Sequence, residues 1–519
     1  MAADAGMTLG DIVADNARRF PDVIAYRLGD RAITHAMLCE RATRLVSAMA
    51  ARGVRRQDRV AILSRNSIEF GEVMAACQLS GIILATINFR LTSNEVRDVI
   101  NRVHPSIVLC ADEFAPMMSE LAPTLASSPK LVCIGGAERS DMTEYEDFLR
   151  SGRSGDLVLR ARPDDIAFLI FTSGTTGASK CCILGQREHR QVAFTMNAEM
   201  RTGSDDRGLI NMPMFHIGAM AIIGGMHARG GTVVLQRQFD ADDAVRLIAQ
   251  ESVTLVHLAP VMLHALLDAV ADVASVRSLR TVIYAAAPMT IGILERAMSM
   301  LPSAGFLNLY GQTEVIVSGL PRALHTGDRH GAADALRSVG FPFPGIEVRI
   351  VADDGSDVPE GQPGEIVVRS DSQFRGYWDD DAATLATLRN GWCHTGDIGR
   401  FDGRGLLYLV DRKKDVIISG GENVYSPEVE DALSRLDAVA GCAVVGAPDD
   451  RWGETVCAVV ALKPGMDLTL DAVQEHVRPL LAGYKVPRRL FIVDELPVLP
   501  SGKIDKKRLR ADVESRVGG

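Results

Sequence analysis

The ten residues Phe171-Thr-Ser-Gly-Thr-Thr-Gly-Ala-Ser-Lys180 gather five hydroxyls (Thr172, Ser173, Thr175 and Thr176, with Ser179 beyond them), two glycines (Gly174, Gly177) and the amine of Lys180. Glycines let successive backbone N–H groups turn inward as an anion-binding nest, and hydroxyls and an ammonium add donors for phosphate oxygens. The stretch is not a P-loop, which needs four residues between its first glycine and a Gly-Lys pair. By composition it is equally a Gly/Ser/Thr turn. Other stretches hold groups able to do chemistry: Met212-Pro-Met-Phe-His-Ile-Gly218, Tyr284-Ala-Ala-Ala-Pro-Met289, Asn308-Leu-Tyr-Gly-Gln-Thr-Glu314, Trp392-Cys-His-Thr-Gly-Asp397 and Pro500-Ser-Gly-Lys-Ile-Asp-Lys-Lys507. Taken singly, a histidine in apolar surroundings reads as a core residue, Ala-Ala-Ala-Pro as a strand end and Gly-Asp as a turn. The basic run near residue 503 reads as a solvated face.

Taken together, these motifs resemble the adenylate-forming superfamily of acyl-CoA synthetases, peptide-synthetase adenylation domains and luciferases, over nearly the whole chain. The resemblance implies a phosphate loop at 172–177 with Lys180, and an adenine-binding turn at Ala286, Ala287 and Pro288. It implies that Asn308 faces the adenine amino group and that Tyr310, beside Gly311 and Gln312, packs on the base. Thr313 would reach the α-phosphate, and Glu314 would bind Mg²⁺, a role that suits a hard oxygen donor. Asp397 would accept from both ribose hydroxyls, with Arg412 reaching the same sugar. By the same resemblance Lys503 bridges carboxylate and α-phosphate, Lys414 is a hinge, and Gly421 opens a pantetheine tunnel where a side chain would close it. Pro213, Phe215 and His216 match an element whose histidine flanks the carboxylate being activated. Ser179, Cys181-Cys182 and Gln186 depart from the family's usual proline, Gly-Val and histidine.

The function so implied is ATP-dependent acyl-CoA ligation: a carboxylic acid becomes acyl-AMP with loss of pyrophosphate, then a thioester with loss of AMP. Mg²⁺ is the expected cofactor, and ATP and coenzyme A are the co-substrates. An acyl-AMP ligase delivering to a carrier protein is the alternative; the spacing from Glu314 to Asp397 leaves no room for a long insertion and favours coenzyme A. A non-catalytic nucleotide-binding relative would be expected to lose Lys503 or Glu314, and both are present. No aspartate occurs from 211 to 226, where synthetases for amino acids typically hold the substrate ammonium, which favours a plain acid. The expected acyl pocket is His216, Gly218, Met220, Ala285 and Leu309, with Met226 nearby. Leu309 stands where relatives for long or aromatic acids often have glycine, so a short, medium or branched acid is expected, within fatty acid metabolism.

The elements that must position these groups are legible as apolar runs alternating with helical periodicity. Asp58–Leu63, Gly81–Ala85, Ser106–Cys110 and Ile166–Ile170 read as buried strands, and Met37–Ala51, Ser67–Ser80 and Ser93–Val103 as helices. Such alternation predicts an α/β fold with parallel-rich sheets layered by helices. The expected domains are a large N-terminal one, 1–413, and a small mobile α+β one, 414–519. Residues 120–165 read as a surface loop, and 419–427 as a mobile one.

At 519 residues more than one core is expected. A formal net charge of −10 argues against a general nucleic-acid binder. Nine cysteines without a C-x-x-C pair suggest reduced thiols. The opening residues lack a signal peptide's basic and apolar regions, and no apolar run reaches membrane-spanning length. The expectation is a cytoplasmic protein without a membrane span; a homodimer is compatible with it.

Overall fold

The computed structural model describes residues 7–136, 140–172, 179–287, 289–325, 332–449, 451–498 and 504–517. Ser173, Gly174, Thr175, Thr176, Gly177, Pro288 and Lys503 therefore lie outside the described residues. Two compact units are present: Met1–Glu347 with Arg369–Cys393, and Val348–Val368 with His394–Gly519.

The first unit contains two sheets. One has seven strands in the order Thr143–Glu144, Lys130–Ile134, Ile107–Ala111, Arg59–Leu63, Ile83–Thr86, Ile166–Thr172 and Lys180–Gly185. All of its pairs are parallel except the last. Its central strands are near-continuous Val, Ile and Leu because helices cover both faces, and Ile107–Ala111 is buried throughout. The helix Ile68–Ser80 starts where the Ser67 hydroxyl accepts the Phe70 N–H and stops at Gly81, in left-handed conformation. It is almost wholly buried, as an apolar pattern all round its surface requires.

The other sheet has nine strands. From one edge they are Phe341–Pro342, Ile316–Leu320, Gly305–Gly311, Thr281–Ala285, Leu255–Leu258, Arg207–Ile210, Thr232–Leu235, Ile24–Leu28 and Arg31–Thr34. The six from Gly305–Gly311 to Ile24–Leu28 run parallel. Leu209, Val256, Leu258, Val282, Tyr284 and Phe306 share one core with Leu263, Leu267 and Leu294 from the covering helices. Intervening residues of these strands point to the opposite face, by the two-residue period of a strand. In parallel sheets of this kind, ligands sit beyond the carboxyl ends of the strands. Nearly every candidate residue of this unit lies at such an end.

In the second unit, Gly453–Leu462 pairs with Val439–Asp449 and Ile417–Ser419 antiparallel, and with Arg489–Val493 in parallel. Val429 and Leu433 of the helix Ser426–Leu433 and Val473 and Val477 of Leu470–Val477 pack into one core. Leu509 and Val513 of the helix Lys506–Val517 pack into another. Two expectations change here. Residues 120–165 contain the strand Lys130–Ile134 and the helix Tyr145–Arg150, whose Tyr145, Phe148 and Leu149 are buried. Part of the stretch expected as a loop at 419–427 is instead strand, in a hairpin over 417–424, because Gly420 and Gly421 (φ +63° and +87°) supply the paired left-handed residues of a two-residue turn. Among the described residues no helix is long and apolar enough to cross a membrane.

Candidate active site

The strands Gly305–Gly311 and Ile316–Leu320 form a hairpin closed by the Gln312 N–H donating to the Val315 carbonyl (2.8 Å). Thr313 and Glu314 are the central residues of this turn. Gly311 permits it: a Cβ there would lie 2.9 Å from the Ile316 Cα and 3.0 Å from the Val315 carbonyl oxygen. Glu314 is held from two sides. Its carbonyl accepts the Phe374 N–H (2.7 Å), and its carboxylate accepts the Tyr377 hydroxyl (2.6 Å). Residues 375–378 run along the strand Lys180–Gly185 through the Arg375, Ile183 and Trp378 N–H groups. The Lys180 ammonium thereby stands 4.7 Å from the Tyr377 ring centroid. The Glu314 turn and the far end of the 172–180 loop thus meet at one phenol. At the near end, the Thr172 hydroxyl donates to the Lys180 carbonyl (3.4 Å).

Burial and then the Glu314 charge raise the Tyr377 phenol far above its ordinary range, so it remains a donor to the carboxylate. Cys182 is buried against the same carboxylate, and its thiol is likewise raised, by burial first and Glu314 second. Burial pushes the Cys181 thiol up to about 12. Neither thiol can supply a thiolate nucleophile, and both read as packing groups. Among the described residues no three His, Cys, Asp or Glu side chains gather as a metal site.

Asn308 and Tyr284 are paired residues on neighbouring strands, and the Asn308 amide N–H donates to the Tyr284 carbonyl (3.3 Å). The Asn308 amide oxygen is buried and has no hydrogen-bond partner among the described residues. A buried acceptor without a donor is costly, and an exocyclic amine would satisfy it. Next to it, Ala286 holds φ +73°, a conformation that alanine adopts only where its surroundings impose it. Ala286 and Ala287 are half-buried there, and Tyr310 is half-buried one residue past Leu309.

His216 caps the helix Ile217–His227, its Nδ1 accepting the Gly218 N–H (3.2 Å). One side chain just beyond a strand of the seven-stranded sheet and one at a strand end fix the segment before it. Asn66 donates to the Met212 carbonyl (3.0 Å) and accepts the Met214 N–H (2.7 Å), and Thr86 donates to the Phe215 carbonyl (2.9 Å). Met220 and Met226 are buried in the helix. Ala285 and Leu309 are paired residues on adjoining strands. Asn66, Thr86 and Tyr377 belong to no motif, and sequence reading passed over them.

In the second unit, Asp397 and Arg412 are paired on neighbouring strands. The Arg412 guanidinium donates to the Asp397 carboxylate (2.7 Å), which is 5 % exposed. The Asp397 N–H is held by the Thr395 hydroxyl, itself anchored on the Ile366 carbonyl. Lys414 follows these strands. Arg510 donates to its carbonyl (2.8 Å), and burial lowers its ammonium below the ordinary range. Gly421 lies in the hairpin turn, and a Cβ there would meet nothing within 4 Å among the described residues.

The family model described as AMP-binding enzyme matches residues 13–378, and that of the AMP-binding enzyme C-terminal domain matches residues 428–503. Among curated proteins, a feruloyl-CoA synthase of an Amycolatopsis species is 34% identical over 512 residues, covering 98% of this chain and 99% of its own. An indoleacetate–CoA ligase of Aromatoleum aromaticum is 35% identical over 518 residues, covering 97% and 98%. Among solved structures, the o-succinylbenzoate CoA synthetase of Bacillus subtilis, in complex with its acyl-adenylate intermediate, superposes with a TM-score of 0.83 at 27% identity, covering 96% of this chain and 97% of that one.

Proposed function

Since this chain belongs to the AMP-binding enzyme family and is an AMP-forming acid–thiol ligase, we propose the following division of labour among its residues. In the first half-reaction a carboxylate oxygen attacks the α-phosphorus of ATP, and the bond to pyrophosphate breaks. In the second, the sulfur of coenzyme A attacks the acyl carbon, the thiol proton passes to solvent, and AMP leaves. Carboxylates are weak nucleophiles, so the protein's contribution is alignment and neutralisation of charge at phosphorus. The 172–177 loop with Lys180 holds the phosphates, Thr313 reaches the α-phosphate, and Lys503 bridges it to the acid. Asn308 takes the adenine amine on its open oxygen, Tyr310 and residues 286–288 enclose the base, and Asp397 with Arg412 takes the ribose. His216 flanks the carboxylate. Magnesium held by Glu314 would neutralise phosphate charge. Functionally the chain then divides at 413/414, with the part from Lys414 onward reorienting between the half-reactions so that Gly421 replaces Lys503.

The observation that carries this reading is the Tyr377 phenol joining the Glu314 turn to Lys180. Incubation with ATP, Mg²⁺, mixed acids and coenzyme A is expected to yield AMP and a thioester. ADP in place of AMP would overturn the reading, and AMP without thioester would favour delivery to a carrier protein. Tyr377→Phe removes the phenol's hydrogen bond to the Glu314 carboxylate and is expected to raise the half-saturating Mg²⁺ concentration about tenfold, the usual effect of losing a partner of a metal-binding group. An unchanged Mg²⁺ requirement in a folded variant would remove Tyr377 from the site.

For the acid, Leu309 beside Ala285 supports a narrow pocket and hence a short, medium or branched chain. The relatives named for feruloyl and indoleacetate substrates make a bulky aromatic acid the competing outcome. Turnover across a series from acetate to palmitate is expected to peak below the long-chain acids; a maximum at palmitate would discard the Leu309 reasoning. None of the nine cysteines is in a disulfide, which suits a reducing cytoplasm.

A further inference from the structure

His257 lies near the carboxyl end of the strand Leu255–Leu258 and is 4 % exposed. It pairs with Ile283 on the next strand, where Ala285 follows two residues on, and Ala285 pairs with Leu309. The two-residue period puts His257, Ile283, Ala285 and Leu309 on one face of the sheet, opposite the core built by Val256, Val282, Tyr284 and Phe306. The helix that His216 caps covers this face. A Cβ added at Gly218 would lie 3.5 Å from His257 Cε1 and 3.5 Å from His216 Nδ1, so the two imidazoles flank the bare Gly218 backbone. Both ring nitrogens of His257 are buried, and neither has a hydrogen-bond partner among the described residues. An apolar side chain here would avoid that cost, so the imidazole needs a partner that the described protein does not provide.

We propose that His257 is a specificity-determining residue whose ring hydrogen-bonds an oxygen on the acyl portion of the acid, making the substrate class a hydroxy or keto carboxylic acid. The inference rests on the acyl-CoA ligase reading and on the pocket assigned to Gly218, Ala285 and Leu309. Burial, and secondarily His216, lower the ring to about 4, so at neutral pH it is uncharged and offers one donor and one acceptor. That pair of functions matches a hydroxyl, and the donor alone matches a ketone. A second carboxylate would find no positive charge on the ring.

The test compares hexanoate and phenylpropanoate with their monohydroxy and monoketo derivatives, reading kcat/KM from AMP release. At least one derivative is expected to exceed its parent about tenfold, roughly the value of one well-made hydrogen bond. His257→Leu is expected to erase that preference mainly through KM, changing the parent acid less than about threefold, and His257→Gln to keep most of it. Derivatives no better than their parents in the wild-type enzyme would overturn the inference without any variant. So would a leucine variant that lowers parent and derivative alike. Release of no AMP from any acid would instead fail the ligase reading itself.

Discussion

Lys503→Ala is expected to slow acyl-adenylate formation about 10² to 10³-fold. The charge that grows on the α-phosphoryl group as the carboxylate approaches must be met by a donor already in place, and such a donor is typically worth roughly 3 to 4 kcal/mol. The family match for the C-terminal domain ends at residue 503, and the run Pro500-Ser-Gly-Lys-Ile carries the amine. Exchange of labelled pyrophosphate into ATP measures this half-reaction alone. Thioester formation from supplied acyl-adenylate should stay within a few-fold of the wild type, because the proposed division of labour gives the lysine no part in that step. Equal losses in both half-reactions would mean that Lys503 serves folding or the whole cleft rather than one step.

Gly421→Leu is expected to do the reverse, cutting thioester formation about 10²-fold while adenylation changes little. Among the described residues nothing lies within 4 Å of a Cβ at this position, so the new side chain projects into space that the proposed pantetheine path needs. Displacing reacting groups by about 1 Å costs on the order of 10²-fold. A leucine at φ +87° also strains the turn by about 1–2 kcal/mol, so Gly421→Ala, strained alike but short, is the control. Accumulated acyl-AMP in the leucine variant is the expected signature. Unimpaired thioester synthesis would remove Gly421 from the coenzyme A path.

Local motifs were legible because their chemistry is written in neighbours. The Gln312–Val315 turn, the Pro213–His216 element and the Asp397 strand each combine a special backbone with a functional side chain inside a few residues. Tyr377 was not legible, since it is 63 positions from the Glu314 that it holds. Asn66, Thr86 and His257 are single polar residues at strand ends, and only the packing of sheets and helices shows what they meet. Residues 120–165 misled because glycine, serine and proline between short elements masked the strand Lys130–Ile134 and the helix Tyr145–Arg150. Gly421 was read for its missing side chain, yet two left-handed glycines in succession, Gly420 and Gly421, also favour the tight hairpin found.

The hold of Asn66 and Thr86 on the 212–215 backbone makes the segment proposed to flank the acid a joint product of two sheets. A laboratory that transplants residues 212–226 from a relative to retune acid choice would inherit a mismatch unless the two anchoring side chains travel with the graft. The exchangeable module is thus discontinuous in sequence, and recombination within this family should succeed where the crossover points respect those anchors.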